Sequence, residues 1–552
     1  MACFQLNHRK FSRFARSCSS RLSIVVLGSL FPLASPAPAQ SKSQPPATTS
    51  ASSAEQRAAR ALESVRQNPL ELHEFLRRMP KGADLHNHLA GAVYAESWIR
   101  DGADDILCVN LSTLAFFKTE AMTRSIPPQP VCGEGNVAAS HAFQDQHLYD
   151  SLVDAFSMRS FVPSAGVSNH DHFFDAFAKF LAVTPRHTGA WLDEVSARAA
   201  AQNEQYLELM DTPPFLHTIQ IANQIGWQDD LAKFRQELFN RGLRDDVNIA
   251  RAHWDRAESL RNERQHCGAS SEPAASSEPA APSGCNVEVR YLYQVLRGFP
   301  KQQVFAQALL GFEVASADSR VVGVNFVMPE DCYICMSDYA LQMRMIDFLH
   351  GLYPQVHISL HAGEIAPGLV AMEGLCCHVR LAVDEGHAER IGHGVDIMYE
   401  DRPYDLLKEM AAKHVMVEIN LTSNDVILGV SGNSHPFPLY RKFGVPVTLS
   451  TDDEGVSRID LTHEYVRAVQ TYELHYADLK KMVRTGVEHS FLPGISLWEK
   501  QDDFARPNSA CAHDSLGAQS PAADCATLLK SSEKARQQWE LERRFRAFES
   551  SF

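Results

Sequence analysis

Eight short apolar segments between residues 83 and 452 limit the folds open to this 552-residue chain more than any other feature. Each has the length of a β-strand, and the later ones alternate with helix-like stretches at short, regular intervals. Strands that alternate with helices favour a parallel sheet, and eight of them favour closure into a barrel. The segments are 83–89, 206–210, 287–295, 321–327, 357–363, 390–395, 415–421 and 446–452.

The predicted fold is therefore α/β, a (β/α)8 TIM-type barrel over residues 55–505. The first two gaps between strands are much longer than one helix requires, so insertions are expected between the early strands. One of them holds a repeated Ser/Pro/Ala stretch, residues 270–284, which predicts a low-complexity loop because it cannot build a core. Residues 506–552 predict a C-terminal helical extension that ends in a charged helix.

The first 39 residues have the order of a secretory signal peptide. A basic head without acids precedes the apolar run LSIVVLGSLFPLA, and Ala37-Pro38-Ala39 fits a cleavage pattern. The run is shorter than the roughly 20 residues that a spanning helix needs. We therefore expect an exported protein, periplasmic or secreted, with no membrane span once the signal is removed. Residues 40–54 predict a disordered tether.

The charge and the cysteines agree with export. Removal of residues 1–39 would take the formal net charge from −15 to about −20, and so acidic a protein is not expected to bind nucleic acid. Ten cysteines follow the signal, as is usual in an oxidising compartment. The candidate bridges are Cys267–Cys285, Cys108–Cys132 and Cys511–Cys525, and the pair Cys332 and Cys335 is left open as a bridge or as free thiols.

Polar residues with metal-binding or acid–base chemistry end four of the predicted strands. Catalytic groups of a parallel barrel collect at the strand C-termini, and residues at i and i+2 of a strand share one face. Three imidazoles and a carboxylate would suit a divalent ion such as Zn²⁺, which keeps an open position in catalytic sites. The candidate residues are His86 and His88 on strand one, His361 and Glu364 on strand five, His393 on strand six, and Asp452 and Asp453 on strand eight.

Five segments within residues 80–455 resemble the adenosine deaminase family of metal-dependent hydrolase barrels, and they come in the family's order. The chain is similar in particular to secreted members, which carry signal peptides and long N-terminal insertions. The resemblance implies hydrolytic deamination of adenosine to inosine and ammonia, the same reaction with 2′-deoxyadenosine, and one Zn²⁺ per subunit. The partner would be a small-molecule purine nucleoside, and a homodimer is left open. The segments are PKGADLHNHLAGA, SLHAGE, RIGHGVDI, EINLTSN and HPFPLYRKFGVPVTLSTDDEG.

The resemblance also implies a role for each strand-end residue. Glu364, protonated, would deliver a proton to purine N1, and His393 would orient the attacking water and accept its proton. Asp453 would hydrogen-bond purine N7. The zinc ligands would be His86, His88, His361 and Asp452.

Three positions on the substrate side depart from the family pattern. Ala90 stands where the family has an aspartate that contacts the ribose 5′-hydroxyl. Met328 stands where the family has a glycine whose backbone N–H meets purine N3. The backbone N–H of Met328 remains for that contact, but its side chain would crowd the pocket. Glu454 replaces a proline. The metal and acid–base set is complete while the specificity set differs, so deamination is better supported than adenosine as the substrate.

Two other functions stay open at this stage. One is deamination of another aminopurine or of a 5′-modified adenine nucleoside. The other is a secreted, non-enzymatic binding or growth-factor-like protein on the same fold. A different zinc deaminase class carries His-x-Glu upstream of Pro-Cys-x-x-Cys. It is set aside because two extra residues separate Pro329 from Cys332. The nearby His/Glu motif, His361-x-x-Glu364, also has the wrong spacing and lies downstream.

Overall fold

The computed structural model describes residues 53–123, 129–268 and 283–552. The predicted signal peptide, residues 40–52 of the predicted tether and residues 270–282 of the predicted loop lie outside the described residues. Within them the strands are β1 (Gly82–His88), β2 (Cys108–Asn110), β3 (Phe116–Phe117), β4 (Asn136–Ala138), β5 (Glu204–Asp211), β6 (Glu288–Leu296), β7 (Val321–Val327), β8 (His357–Ala362), β9 (Arg390–His393), β10 (Met416–Ile419), β11 (Val447–Leu449), β12 (Trp498–Lys500) and β13 (Asp503–Pro507).

The α-helices occupy most of the remaining described chain. They are α1 (Ser53–Val65), α2 (Pro69–Arg78), α3 (Leu89–Ala92), α4 (Ala95–Asp104), α5 (Gln146–Ala155), α6 (Asn169–Phe180), α7 (Thr188–Ala201), α8 (Leu216–Ile225), α9 (Leu231–Asn240), α10 (Asp245–Arg264), α11 (Lys301–Ala317), α12 (Tyr333–Ser337), α13 (Tyr339–Leu352), α14 (His378–Asp384), α15 (Pro403–Ala412), α16 (Leu421–Leu428), α17 (Phe437–Phe443), α18 (Glu454–Ser457), α19 (Leu461–Thr471), α20 (Tyr476–Glu488), α21 (Ala523–Ser531) and α22 (Glu533–Glu549).

Eight strands, β1 and β5–β11, form one parallel sheet in which each strand pairs with the next along the chain. A parallel bridge between Asn87 and Asp452 joins the end of the last strand to the first. The predicted (β/α)8 barrel is confirmed, and each of the eight predicted segments overlaps one of its strands. Strands β1, β9, β10 and β11 are buried along their whole length, as expected for strands covered by helices outside and by side chains inside.

The insertions also lie where the sequence predicts them. Between β1 and β5 the chain adds helices and a small antiparallel sheet in the order β3–β2–β4, tied by the Cys108–Cys132 disulfide. Between β5 and β6 it adds α8–α10, and Cys267–Cys285 bridges the base of the predicted loop. The C-terminal extension carries the third predicted bridge, Cys511–Cys525, and its last helix buries Leu541 and Phe545 in the main core.

Two local features differ from or add to the sequence analysis. Apolar residues spaced three and four apart from Glu55 to Leu76 predict one helix, but the structure divides this segment between α1 and α2. Asn68 caps α2 by accepting from the backbone N–H groups of Leu70 and Glu71, and Pro69 takes its first position. The open Cys332/Cys335 question resolves to a disulfide, and neighbouring Cys376 and Cys377 form a further one. None of the helices in the described ranges has the length and apolar character needed to cross a membrane.

Candidate active site

Three histidines and an aspartate converge at the C-terminal mouth of the barrel. One nitrogen or oxygen from each of His86, His88, His361 and Asp452 lies within 4.8 Å of all the others. Nε2 of His88 is 3.2 Å from Nε2 of His361 and 3.2 Å from Oδ1 of Asp452. All four side chains are buried. The structure thus brings together the four residues that the sequence analysis proposed as ligands.

The seam that closes the barrel sets the positions of this cluster. The backbone N–H of Asp452 donates to the carbonyl of His86 at 2.8 Å, and that of His88 donates to the carbonyl of Asp452 at 3.3 Å. Asp452 and His393 both adopt left-handed backbone conformations, with φ of 59° and 72°. Such conformations are uncommon for residues other than glycine, although Asp and His adopt them more readily than most.

Each residue of the cluster uses its outer polar atom to bind a partner in the protein. The outer nitrogens of the histidines face oxygen acceptors, so these Nδ1 atoms carry the hydrogen in the neutral rings. The Nε2 atoms then point inward as bare lone pairs. The outer contacts are His86 Nδ1 to Glu418 at 2.6 Å, His88 Nδ1 to Gln294 at 2.7 Å, His361 Nδ1 to Asn325 at 2.8 Å, and Ser423 Oγ to Asp452 Oδ2 at 2.6 Å.

This donor set fits a cation. Two bare nitrogens 3.2 Å apart repel one another unless a positive charge lies between them, and His86 Nε2 has no hydrogen-bond partner among the described residues. Burial lowers the pKa of His361 well below its usual range, and the neighbouring His86 and His88 lower it further. Burial acts to raise the pKa of Asp452, but the adjacent rings of His86 and His88 hold it well below its usual range. Nitrogen and carboxylate donors of this kind suit Zn²⁺.

A buried ion-pair network supports His86 from below. Glu418, which accepts from His86, also pairs with Arg390 at 2.8 Å, and Arg390 pairs with Glu208 at 2.7 Å. All three charged side chains are fully buried inside the barrel. The ring of His86 also needs Gly392, because a Cβ at that position would lie 2.4 Å from His86 Cε1.

Glu364 is held on the turn after β8 by a second carboxylate. Glu330 accepts hydrogen bonds from the backbone N–H groups of Gly363 at 3.0 Å and Glu364 at 2.6 Å, and from His378 Nδ1 at 2.5 Å. Burial acts to raise the pKa of Glu330, but the bond from His378 and the nearby Arg297 lower it to about 2, so this carboxylate is ionised. Burial, Asp452 and Glu330 together raise the pKa of Glu364 well above its usual range.

Glu364, His393 and Asp452 form a second close group, which shares Asp452 with the ligand cluster and is therefore part of the same site. Nε2 of His393 lies 3.6 Å from Glu364 Oε1 and 3.8 Å from Asp452 Oδ2. This ring is fully buried. The structure thus gathers the two candidate acid–base residues beside the candidate ligands.

Asp453 lies on the other side of the cluster, over the short helix α3. A Cβ at Gly91 would lie 1.6 Å from Asp453 Oδ1, so only glycine leaves room for this carboxylate. Burial raises the pKa of Asp453 to about 7, with His88 lowering it and Asp452 raising it further. Asp453 Oδ1 is buried without a hydrogen-bond partner in the part of the chain that the structure describes.

The three departures from the family pattern occupy different surroundings. Ala90 is exposed on α3. Met328 follows β7 half-buried, with its side chain beside Gly298 of the preceding strand's loop. Glu454 is buried and binds Arg198 at 2.8 Å and the amide of Asn87 at 3.3 Å. Glu454 is therefore a structural ion-pair partner at the barrel seam.

Sequence reasoning missed the residues that hold the cluster from outside. Glu418, Gln294, Asn325 and Arg390 are polar residues inside otherwise apolar strands, at positions whose side chains enter the barrel. That interruption of an apolar strand is the signal that could have identified them.

Comparison with known proteins bears on the family. The family model described as "Adenosine deaminase" matches residues 194–497, more than half of the chain. The match includes His361, His393 and Asp452 but begins after the strand that carries His86 and His88. An adenosine deaminase of Clostridium perfringens is 37% identical over 135 residues, which are 24% of this chain and 37% of that protein. One from Shewanella loihica is 36% identical over 136 residues, 24% of this chain and 38% of that protein. The aligned segment thus spans little more than a third of these curated relatives.

Solved structures resemble the chain more distantly. An Arabidopsis ADAL protein complexed with GMP aligns with a TM-score of 0.48 and 18% identity, covering 76% of this chain and 94% of that one. An adenine deaminase from Arthrobacter aurescens aligns with a TM-score of 0.46 and 15% identity, covering 75% and 94%. The family model that spans the greater part of the barrel carries the assignment: the chain belongs to the adenosine deaminase family.

Proposed function

We propose that this protein is a zinc-dependent deaminase that hydrolyses adenosine to inosine and ammonia, and 2′-deoxyadenosine to 2′-deoxyinosine and ammonia. The observation that carries the proposal is the convergence of three inward-facing imidazole nitrogens and a carboxylate beside a buried acid. Membership of the adenosine deaminase family supports the same reaction.

In this proposal His86, His88, His361 and Asp452 hold one zinc ion per subunit. When bound, zinc supplies the Lewis acidity that makes water a nucleophile near neutral pH. The protein contributes the geometry, because every ligand is already fixed by a partner outside the cluster.

Glu364 acts as the acid. It enters the reaction protonated, because burial and neighbouring carboxylates hold its pKa above the usual range. It gives this proton to purine N1, which makes C6 more electrophilic while the oxygen of water forms the new bond. One hydrogen of the water leaves with ammonia and the other restores the proton of Glu364. The reaction therefore balances without a further reactant.

Asp453 selects the purine. Purine N7 only accepts hydrogen bonds, so a partner at that position must donate one. Asp453, with its pKa raised to about 7, carries a proton for a substantial part of the time at neutral pH. Its partnerless Oδ1 is the atom that this contact satisfies.

A 5′-modified adenine nucleoside is a second candidate substrate. Ala90 is exposed and has no polar group for a 5′-hydroxyl. A substituent at that position therefore meets no carboxylate at residue 90. This predicts tolerance of 5′ changes in the substrate.

We also propose that the protein is exported. Five disulfides within the described residues support an oxidising compartment, and the signal-like order of residues 1–39 supplies the route. Mass spectrometry of the mature protein from its native host tests this. A mature N-terminus close after Ala39 supports it, and an intact Met1 terminus contradicts it.

A substrate panel tests the proposed reaction. Purified zinc-containing protein is given adenosine, 2′-deoxyadenosine, adenine and 5′-modified adenosines, and conversion is followed by absorbance and by ammonia release. We expect turnover of the nucleosides and tolerance of the 5′ changes. A folded, zinc-containing protein that leaves every compound unchanged would contradict deamination and favour the non-enzymatic binding function.

A further inference from the structure

A chain of hydrogen bonds behind His393 starts at a backbone N–H group, which can only donate. The backbone N–H of Phe437 donates to Nδ1 of His435 at 3.1 Å. A backbone N–H can only donate, so Nδ1 of His435 is bare and its hydrogen lies on Nε2. The ring is buried, and burial together with Arg467 lowers the pKa of His435 to about 4. His435 is therefore neutral near pH 7.

Asn424 continues this direction of donation, because it accepts from His435 and donates to His393. Nε2 of His435 donates to Oδ1 of Asn424 at 2.9 Å, which fixes the orientation of this amide. Its Nδ2 then faces Nδ1 of His393 at 2.8 Å and donates to it. Asn420 Nδ2 lies 3.5 Å from the same atom of His393. Asn424 is fully buried, so the bond is shielded from water.

The last member of the chain is the ring that faces the site. Because Nδ1 of His393 accepts, the hydrogen of the neutral ring lies on Nε2. That nitrogen has no hydrogen-bond partner among the described residues and faces Glu364 Oε1 at 3.6 Å. The tautomer of His393 is thus set by the backbone of Phe437, through two intervening side chains.

We propose that Asn424 and His435 are positioning residues that hold His393 in its Nε2–H tautomer, so that His393 meets the attacking oxygen as a hydrogen-bond donor. This inference rests on the proposed deaminase function. It revises the expectation that His393 accepts the proton of water, because the inward nitrogen of the neutral ring already carries one. Proton transfer then falls to Glu364.

Two substitutions at Asn424 separate this role from packing. Asn424→Asp keeps the shape but supplies only acceptor oxygens, so it favours a hydrogen on Nδ1 of His393 and a bare Nε2 toward the site. Asn424→Ala leaves both tautomers open. We expect the kcat of Asn424→Asp to be about 10-fold below that of Asn424→Ala, with zinc content and KM near wild type. A packing role gives the reverse order, and that order would overturn the proposal.

Substitutions at His435 test the start of the chain. Gln at this position keeps an N–H donor for Asn424 Oδ1, whereas Ala removes it. We expect His435→Gln to retain most of the wild-type kcat and His435→Ala to lose about 10-fold, each with bound zinc. Equal losses in the two variants would contradict a donor role.

Neutron diffraction from crystals of the deuterated wild-type zinc protein reads the tautomer without any assay. The expected result is deuterium on Nε2 of His393 and none on Nδ1. Deuterium on Nδ1 would overturn the proposal whatever the kinetics show. If the wild type converts none of the purines, the proposed function fails while the neutron measurement still decides this inference.

Discussion

The two sides of the candidate site differ in how firmly the protein holds their side chains. On the metal-facing side, every residue has a partner behind it at 2.6–2.8 Å. On the substrate-facing side, Asp453 Oδ1 lacks a hydrogen-bond partner in residues 53–123, 129–268 and 283–552, and Glu364 meets His393 only at 3.6 Å. The metal-facing side is His86, His88, His361 and Asp452, and the substrate-facing side is Glu364, Asp453 and Ala90.

The difference separates two kinds of preorganisation. On the ligand side the barrel strands and their inner polar residues fix the geometry, as the proposed single ion requires. On the substrate side, polar atoms such as Asp453 Oδ1 lack hydrogen-bond partners among the described residues, and a bound purine would supply those partners. Substitutions on the two sides should therefore separate zinc binding from turnover.

The largest effect is expected for Glu364→Gln. The amide keeps the shape but cannot deliver the proton to N1, so kcat should fall about 10³-fold while zinc stays bound. Kinetics and metal analysis of the same preparation measure both. Glu373→Gln, an exposed change on the same loop, is the control and should behave as wild type. Loss of zinc in Glu364→Gln would place this residue on the ligand side instead.

Gly91→Ala should damage only the substrate side. The added Cβ would lie 1.6 Å from Asp453 Oδ1, so the carboxylate must move and kcat/KM should fall about 10²-fold with zinc retained. Gly351→Ala is the matched control, because a Cβ on this α13 glycine meets nothing within 4 Å. Unchanged kcat/KM in Gly91→Ala would show that the position of Asp453 does not matter for turnover.

Gln294→Leu should damage only the ligand side. It removes the acceptor for His88 Nδ1, so the zinc dissociation constant should rise about 10–100-fold. Competition with a chromogenic chelator measures this constant, and kcat at saturating zinc should change less. The control is Gln355→Leu on an exposed loop. Equal zinc affinities would mean that the outer partner of His88 contributes nothing.

The last prediction concerns the smallest effect on turnover at neutral pH, and it is read from stability at acid pH instead. The folded-state pKa of His435 is lowered to about 4 from 6.5, so its neutral form stabilises the fold above pH 6.5 and this contribution is lost as pH falls toward 4. The loss is on the order of 3 kcal/mol. His435→Gln should flatten the fall in Tm between these pH values. A parallel Tm profile in the variant would show that another group controls acid unfolding.

The sequence predicted the barrel well because each strand is a short apolar run with polar residues at its end. His86, His88, His361 and Asp452 could be proposed for the same reason: strand ends of a barrel meet in space. Asn68 and Pro69 are a local signal for the start of a helix. This signal could have predicted the division of the first helical segment, but the continuous spacing of apolar residues hides it.

The supporting residues could not be predicted because their roles depend on register. Glu418 contacts His86 only because β9 and β10 bring Gly392 and Glu418 side by side above Arg390. Asn424 and His435 lie on or beside short helices after β10, and no sequence spacing connects them to His393. Such contacts between distant segments require the fold itself.

Zinc reconstitution tests the central claim most directly. The wild-type protein is stripped with a chelator, titrated with Zn²⁺, and assayed for ammonia from adenosine at each step. The proposed site predicts no activity without metal, a linear rise, and a break at one zinc per chain. Full activity in the metal-free protein, or no activity at any zinc loading, would contradict it.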